Sequence, residues 1–207
     1  MSLKTKIFTT VSVVFLILDQ ITKVWIQKTL CLQTNRPTDF CACSKRSLCD
    51  LPPSIDVVDG LLQIVHVENT GAAFGMLNTF EYAMHLFLFF TVFAVGMLIQ
   101  CLRELEPGDR FLSTTLGLIL AGALGNGIDR VDKQAVTDFI RFYLPREHPG
   151  GTWLIQTFGT NEYPSFNVAD MCIVVGVGLF VVHYMFLEDR EEDLDDSVDP
   201  NSASGNS

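Results

Sequence analysis

Residues 111–130 read FLSTTLGLILAGALGNGIDR: eighteen residues without a formal charge, closed by Asp129-Arg130. That length and composition suit a helix crossing a bilayer, which needs ~20 apolar residues. Working outward, 82–102 is equally free of charge, 7–26 is interrupted only by Asp19 and Lys23, and 166–187 carries only Asp170. With 48% hydrophobic and 18% charged residues, against ~25% charged in an ordinary soluble domain, the 207-residue chain reads as a membrane protein. The expected fold is all-α, with four transmembrane helices and a small β-sheet on one side.

The ends and connections refine this. Lys4 and Lys6 before an apolar run resemble a cleavable leader, but no small-residue cleavage site follows, so the first run is expected to stay as a helix. Four spans put both termini on one side, with the short turn 103–110. The long segments 29–80 and 129–165 lie opposite. Leu61–Val67 and Trp153-Leu154-Ile155 favour extended structure, so sheet is expected in both. Residues 1–187 form one domain. Residues 188–207 hold eight acidic residues against Arg190, −7 of the net −10, and read as a disordered tail. The remainder is nearly balanced, which argues against a nucleic-acid surface. Only five of the fourteen Lys and Arg lie on the terminal side, so charge counting does not settle orientation.

Cys31, Cys41, Cys43 and Cys49 cluster in the first long segment. Their spacing lacks the paired C-x-x-C of zinc sites, and disulfides in an oxidising compartment are favoured. Cys101 and Cys172 read as apolar fillers, and His66, His85, His148 and His183 show no ligand spacing. No metal and no cofactor are expected.

Ionisable side chains at membrane depth usually face a bundle interior. Asp19 lies about two-thirds of the way across the first span at ~1.5 Å per residue. Asp129 ends the third span, Asp138 follows nine residues later, and Asp170 opens the fourth. All four carboxylates converge on one layer. Asp19 and Lys23 share a helix face and read as a structural ion pair. Asn126 shares a face with Asp129 and Arg130, which read as a helix end bracing the loops. Asn167 and Asp170 are three apart, and Asn167 suits an N-cap. Asn69 suits a turn. The segment 69–75 (NTGAAFG) looks loop-like, and Gly71 would let a substrate backbone come near. Asp138 and Asp170 have no cation at local spacing.

Five blocks, Asp19-Gln20-Ile21-Thr22-Lys23, Asn69-Thr70-Gly71-Ala72-Ala73-Phe74-Gly75, 122–130 (GALGNGIDR), Val136-Thr137-Asp138-Phe139 and Phe166-Asn167-Val168-Ala169-Asp170, together resemble lipoprotein signal peptidase (signal peptidase II), in that family's order. The resemblance implies an aspartic peptidase of the bacterial inner membrane with cytoplasmic termini and periplasmic long loops. It implies that Asp138 and Asp170 are catalytic, and that Asn69, Gly71, Asn126, Asp129, Arg130 and Asn167 line or hold the site. Asp19 and Lys23 are then architectural. The substrates would be diacylglyceryl-modified prolipoproteins cut before the modified cysteine, the lipids of the membrane its other partners, the enzyme a monomer, and globomycin an inhibitor. Ala121 stands where a glycine is expected and Thr137 where an aliphatic residue is. Residues 31–49 look inserted, and 145–164 is longer than expected.

Two carboxyls sharing a proton can activate water and polarise a carbonyl, because close like charges push their proton affinities apart. A four-span thiol oxidoreductase using the loop cysteines is the alternative, but Cys41-Ala42-Cys43 is not a C-x-x-C pair. A proton-coupled carrier would show internal repeats, and none is seen. Changing all four loop cysteines to serine therefore leaves precursor cleavage largely intact, whereas a thiol oxidoreductase would lose all activity in an insulin-reduction assay.

Overall fold

The computed structural model describes residues 2–33, 41–42, 52–70 and 83–186. Chain order is α1 (Leu3–Thr29), β1 (Leu32–Gln33), β2 (Cys41–Ala42), β3 (Ser54–Val58), β4 (Leu62–Asn69), α2 (Ala83–Glu104), α3 (Arg110–Lys133), β5 (Val136–Phe142), α4 (Pro149–Phe158) and α5 (Val168–Phe186). Among the described residues four helices, α1, α2, α3 and α5, are long and apolar enough to cross a membrane. Gly71, Cys43, Cys49 and the acidic tail lie outside the described residues. Cys31 is disulfide-bonded, and Cys101 and Cys172 are free thiols.

α3 is the central helix. Most of it is buried, and it packs against α1, α5 and α2, while Val92, Phe89, Val174 and Ile21 turn outward. An outside this apolar is the signature of a helix meeting hydrocarbon rather than water. Small residues on α3 set the packing distance. A methyl group on Gly122 would collide with the carbonyl oxygen of Ala169 in α5 and come within 2.5 Å of Ile173 Cγ1. One turn on, a methyl group on Gly125 would lie 2.5 Å from Asp19 Oδ2 of α1. Phe8, Leu98, Leu102 and Leu116 close the core at the terminal end. There Lys4 Nζ donates to the carbonyls of Arg103 (3.0 Å) and Leu105, tying the N-terminus to the α2–α3 turn.

At the other end β3, β4 and β5 form an antiparallel sheet in that order, and β1 pairs with β2. Directly paired residues share a face. Ile55, Ile64, Ile140 and Phe166 therefore form one row, with Asp138 two residues before Ile140 on the same face of β5. A register shift between Ile64 and Val67 brings Val67 opposite Asp138. The sheet sits on the end of α1 through Ile26, Leu30 and Phe139, with Ile64, Ile140 and Val168 packed around them.

Four expectations change. Trp153-Leu154-Ile155 is helical, inside α4. His148 caps its start by accepting from Gly150 N (3.1 Å), Pro149 fills the first turn, and Gly159 at φ 76° ends it. These start and stop signals outweigh the extended preference of three residues. The third helix does not stop at 128. It runs through Asp129-Arg130 to Lys133, because Lys133 neutralises Asp129 four residues back at 3.0 Å. The fourth begins at Val168, since Phe166 is drawn into pairing with Ile140. Leu62–Val67 lies in β4 as expected, but Asn69 is the last residue of that strand rather than a turn.

The close α3–α5 contact is testable against a neutral control. Gly122→Val should lower the unfolding temperature in detergent by several degrees, through about 1–3 kcal/mol of overpacking. Gly178→Ala, at a position with nothing within 4 Å, should leave it unchanged or raise it slightly, because alanine favours helix.

Candidate functional site

Lys23 organises the layer where the bundle meets the sheet. Its ammonium lies 2.9 Å from Asp19 Oδ2, one turn earlier on α1, and 3.1 Å from Asp129 Oδ2 on α3. It also donates to Asn126 Oδ1 at 3.0 Å. Lys23, Asp19 and Asp129 are each 1% exposed. The remaining oxygens of the two aspartates are also used. Asp19 Oδ1 accepts from Ala169 N in the first turn of α5 (2.9 Å), Asp129 Oδ2 accepts from Thr137 N (3.0 Å), and Lys133 pairs with Asp129 Oδ1. These two carboxylates are saturated by cations and backbone amides.

Asp138 and Asp170 are held differently. Asn167 caps α5 by accepting from Asp170 N at 2.9 Å, and Asp170 Oδ2 accepts from Asn167 N at 3.1 Å, a reciprocal box. The Asn167 side-chain amide donates to Asp138 Oδ1 at 2.8 Å, with Asn126 Oδ1 (3.1 Å) and the Thr137 carbonyl (3.3 Å) alongside. Asn126 Nδ2 donates to Asp170 Oδ1 at 2.7 Å, and Asn69 Nδ2 to Asp138 Oδ2 at 3.2 Å. Among the described residues neither carboxylate is within 4 Å of a cationic nitrogen. Asp138 is 3% exposed, and Asp170 is partly open.

The amide orientations follow from the charges. Because Asn126 Oδ1 faces the Lys23 ammonium, its NH2 must turn to Asp170. Because Asn167 Oδ1 faces the Asp170 amide, its NH2 must turn to Asp138. The four aspartates thus divide into a cation-bound pair, Asp19 and Asp129, and an amide-bound pair, Asp138 and Asp170. Asn69, Asn126 and Asn167 hold the second pair. Arg130 donates from Nη1 to the Asn126 carbonyl (3.3 Å), stacks 4.5 Å over the Phe87 ring, and lies in the field of Asp170, Asp138 and Asp129.

Sequence reading missed Gln20, Gln27, Lys133 and Thr137. Gln20 Nε2 donates to Asp19 Oδ2 (3.1 Å) and the Gly125 carbonyl (3.3 Å). Thr137 Oγ1 accepts from Gln27 Nε2 (2.8 Å) and Lys133 Nζ (3.3 Å), which explains a hydroxyl where an aliphatic side chain was expected. The four-residue spacings Lys23–Gln27 and Asp129–Lys133 carried that signal. His66 is buried, with Nδ1 3.2 Å from the Leu30 carbonyl, and burial lowers its proton affinity.

The chain as a whole is similar to known proteins. The chain matches the model of a family described as "Signal peptidase (SPase) II" over residues 11–186. It is 36% identical over 187 residues to a lipoprotein signal peptidase of Geobacter sulfurreducens, covering 90% of this chain and 96% of that protein. A lipoprotein signal peptidase of Maridesulfovibrio salexigens is 34% identical over 176 residues, covering 84% and 92%. One solved bacterial membrane enzyme superposes with a TM-score of 0.63 at 26% identity, over 87% of this chain and 93% of that chain. Another gives 0.60 at 24% identity, over 86% and 87%.

Burial and then the negative charge of Asp170 push Asp138 up from 3.8 to about 7, against the opposing hydrogen bonds from Asn69 and Asn167 and the field of Lys23. A carboxyl raised on folding favours the folded state fully below 3.8, and that contribution is lost as pH rises through about 7. Carbon-13 titration of the carboxyls should therefore show a midpoint near 7 that disappears in Asp138→Asn. Asn69→Ala removes a donor to the ionised form, so it should move that midpoint to higher pH.

Proposed function

The chain belongs to the signal peptidase II family, and from that premise we propose that it cleaves prolipoprotein signal peptides with Asp138 and Asp170 as an aspartic catalytic pair. The observation that carries this reading is the division of the aspartates. Asp19 and Asp129 have their carboxylate oxygens taken by cations and backbone amides, while among the described residues Asp138 and Asp170 are held by neutral amides with no cation in contact, and Asp138 is raised to about 7.

Asp170 acts as the ionised partner and Asp138 as the protonated one. Asp170 takes a proton from water while the oxygen attacks the scissile carbonyl carbon, and Asp138 gives its proton to the carbonyl oxygen. A tetrahedral gem-diol results. On collapse, Asp138 recovers its proton from that oxygen, the C–N bond breaks, and Asp170 passes its proton to the leaving nitrogen. The cycle closes with the original charge on each group, and the titration belongs to the pair. Asn126 and Asn167 keep the carboxyls in place, and Lys23, Asp19 and Asp129 are architectural. Arg130 moderates the negative charge of the pair.

Ile140, two residues beyond Asp138 on the same face of β5, packs with Ile64 on the end of α1, which seats the Asp138 carboxyl at the boundary between bundle and sheet. A diacylglyceryl-modified precursor cut before its modified cysteine fits a site at this boundary, with acyl chains in hydrocarbon and the scissile bond among polar groups. The enzyme then sits in the bacterial inner membrane as a monomer, as one membrane domain over 1–187. Its termini and acidic tail are cytoplasmic, and its long loops are periplasmic, where the Cys31 disulfide is at home.

Asp138→Asn and Asp170→Asn should each lower cleavage of a lipidated precursor by at least ~100-fold, since a general acid or base contributes ~10²–10⁴. Both should insert and purify like the wild type, and wild-type cleavage should be blocked by globomycin. Substantial cleavage by either purified variant would refute the assignment.

A further inference from the structure

We propose that the hairpin carrying α4 is a lipid-docking arm, which lays Trp153 into the surface of the leaflet at the sheet end of the bundle. This rests on the membrane spans and not on the catalytic reading.

The direction of β5 is the first ground. Thr137 is bonded to α3 through Asp129 Oδ2 and to α1 through Gln27, and Ile140 packs on Ile26 and Leu30 at the end of α1. The strand therefore crosses the end of the bundle instead of rising from it. Past Ile140 the strand ends at Phe142, whose ring is 40% exposed. The return strand pairs back through Glu162 opposite Tyr143 and Phe166 opposite Ile140. Tyr163 stands only four positions before Asn167 at the head of α5, so the foot of the arm lies within ~14 Å of the membrane face at ~3.6 Å per residue.

The surface chemistry is the second ground. Beyond the bundle edge the large exposed apolar side chains are Phe142, Tyr163 and Trp153, with Val57, Val58 and Leu61 on the adjoining β3–β4 hairpin, while the exposed charges of the arm, Arg146, Glu147 and Glu162, flank α4 rather than lie in it. Trp153 is 58% exposed and Tyr163 64%. α4 has no charged residue in its ten positions, and it is too short to span. An uncharged helix led by tryptophan is what an interface takes up, with its rings at headgroup level. Trp25, 51% exposed on the last turns of α1, is a second exposed indole at the sheet end of the bundle. The overhang is thus continuous with the lipid-facing surface of the spans.

The arm is rigid enough to hold that position. Leu144 N donates to Asn161 O at 3.0 Å, Asn161 Nδ2 to Leu144 O at 2.7 Å, and Tyr163 N to Phe142 O at 2.8 Å. The Tyr143 hydroxyl accepts from Gly60 N at 3.0 Å, fastening the foot to the β3–β4 turn.

The chain has two tryptophans, so Trp25→Phe leaves Trp153 as the sole indole. This variant, cleaving precursor like the wild type, would be reconstituted without substrate into phosphatidylglycerol vesicles containing phosphatidylcholine brominated at defined acyl positions. The expected result is blue-shifted emission, with stronger loss to shallow than to deep bromines. A water-like maximum with no bromine quenching overturns the proposal. So does a blue shift that appears only when precursor is added, which would make the arm a substrate contact. The wild-type minus Trp153→Ser difference spectrum gives the same readout independently of position 25.

Discussion

One buried ammonium holds the architecture together. Lys23 takes an aspartate from its own helix, an aspartate from α3 and an amide oxygen from Asn126. Each of those partners hands the constraint on. Asp19 fixes the first turn of α5 through Ala169 N, Asp129 fixes the start of β5 through Thr137 N, and Asn126 turns its NH2 to Asp170. Three membrane helices and the sheet are thus indexed to one cation. Breaking such a buried set by removing one partner costs about 3–5 kcal/mol, because the charge left behind has no solvent. With Lys133 added, two cations meet two carboxylates and the layer is neutral. Among the described residues the neighbouring carboxyl pair has no cation in direct contact, and burial followed by the charge of Asp170 raises Asp138.

Packing on α3 makes this layer accurate. Gly125 lets the Asp19 carboxylate lie against the helix backbone, and Gly122 lets the Ala169 carbonyl do the same one turn earlier. Larger side chains at either place would move α1 or α5 outward. The hydrogen bonds between Asp19 and Ala169, and between Asn126 and Asp170, would lengthen together. The small residues here are therefore part of the site even though they bear no functional group.

Much of this was legible in the sequence, for physical reasons that differ by element. The spans showed because hydrocarbon demands uninterrupted apolar length. The Asp19–Lys23 pair showed because i, i+4 residues share a helix face. The lack of any local cation for Asp138 and Asp170 already set them apart from Asp129, and the structure makes that difference concrete. The true end of α3 was hidden, since Asp129-Arg130 reads as a boundary unless Lys133 is recognised as compensating it. α4 was hidden because three β-favouring residues concealed a proline start and a glycine stop. Thr137 was read as a departure from a pattern, yet its hydroxyl and backbone connect β5 to α1, α3 and α5, a role no local spacing could reveal.

The amide-bound pair spans two kinds of structure. Asp170 belongs to the bundle, in the first turn of a membrane helix, while Asp138 belongs to the sheet. Their separation is therefore set by how the sheet is seated on the bundle, not by either element alone. Two sets of bonds do the seating: Thr137 N to Asp129, and the Asn167 amide to the Thr137 carbonyl and the Asp138 carboxylate. Both involve residue 137 or its neighbour, so a shift of β5 by one position would exchange Asp138 for a side chain on the opposite face. It would also strip Asp129 of its backbone donor. Register, buried charge and the spacing of the acid pair are accordingly one constraint expressed three times, and the carboxyls can approach only when the sheet is in its native register.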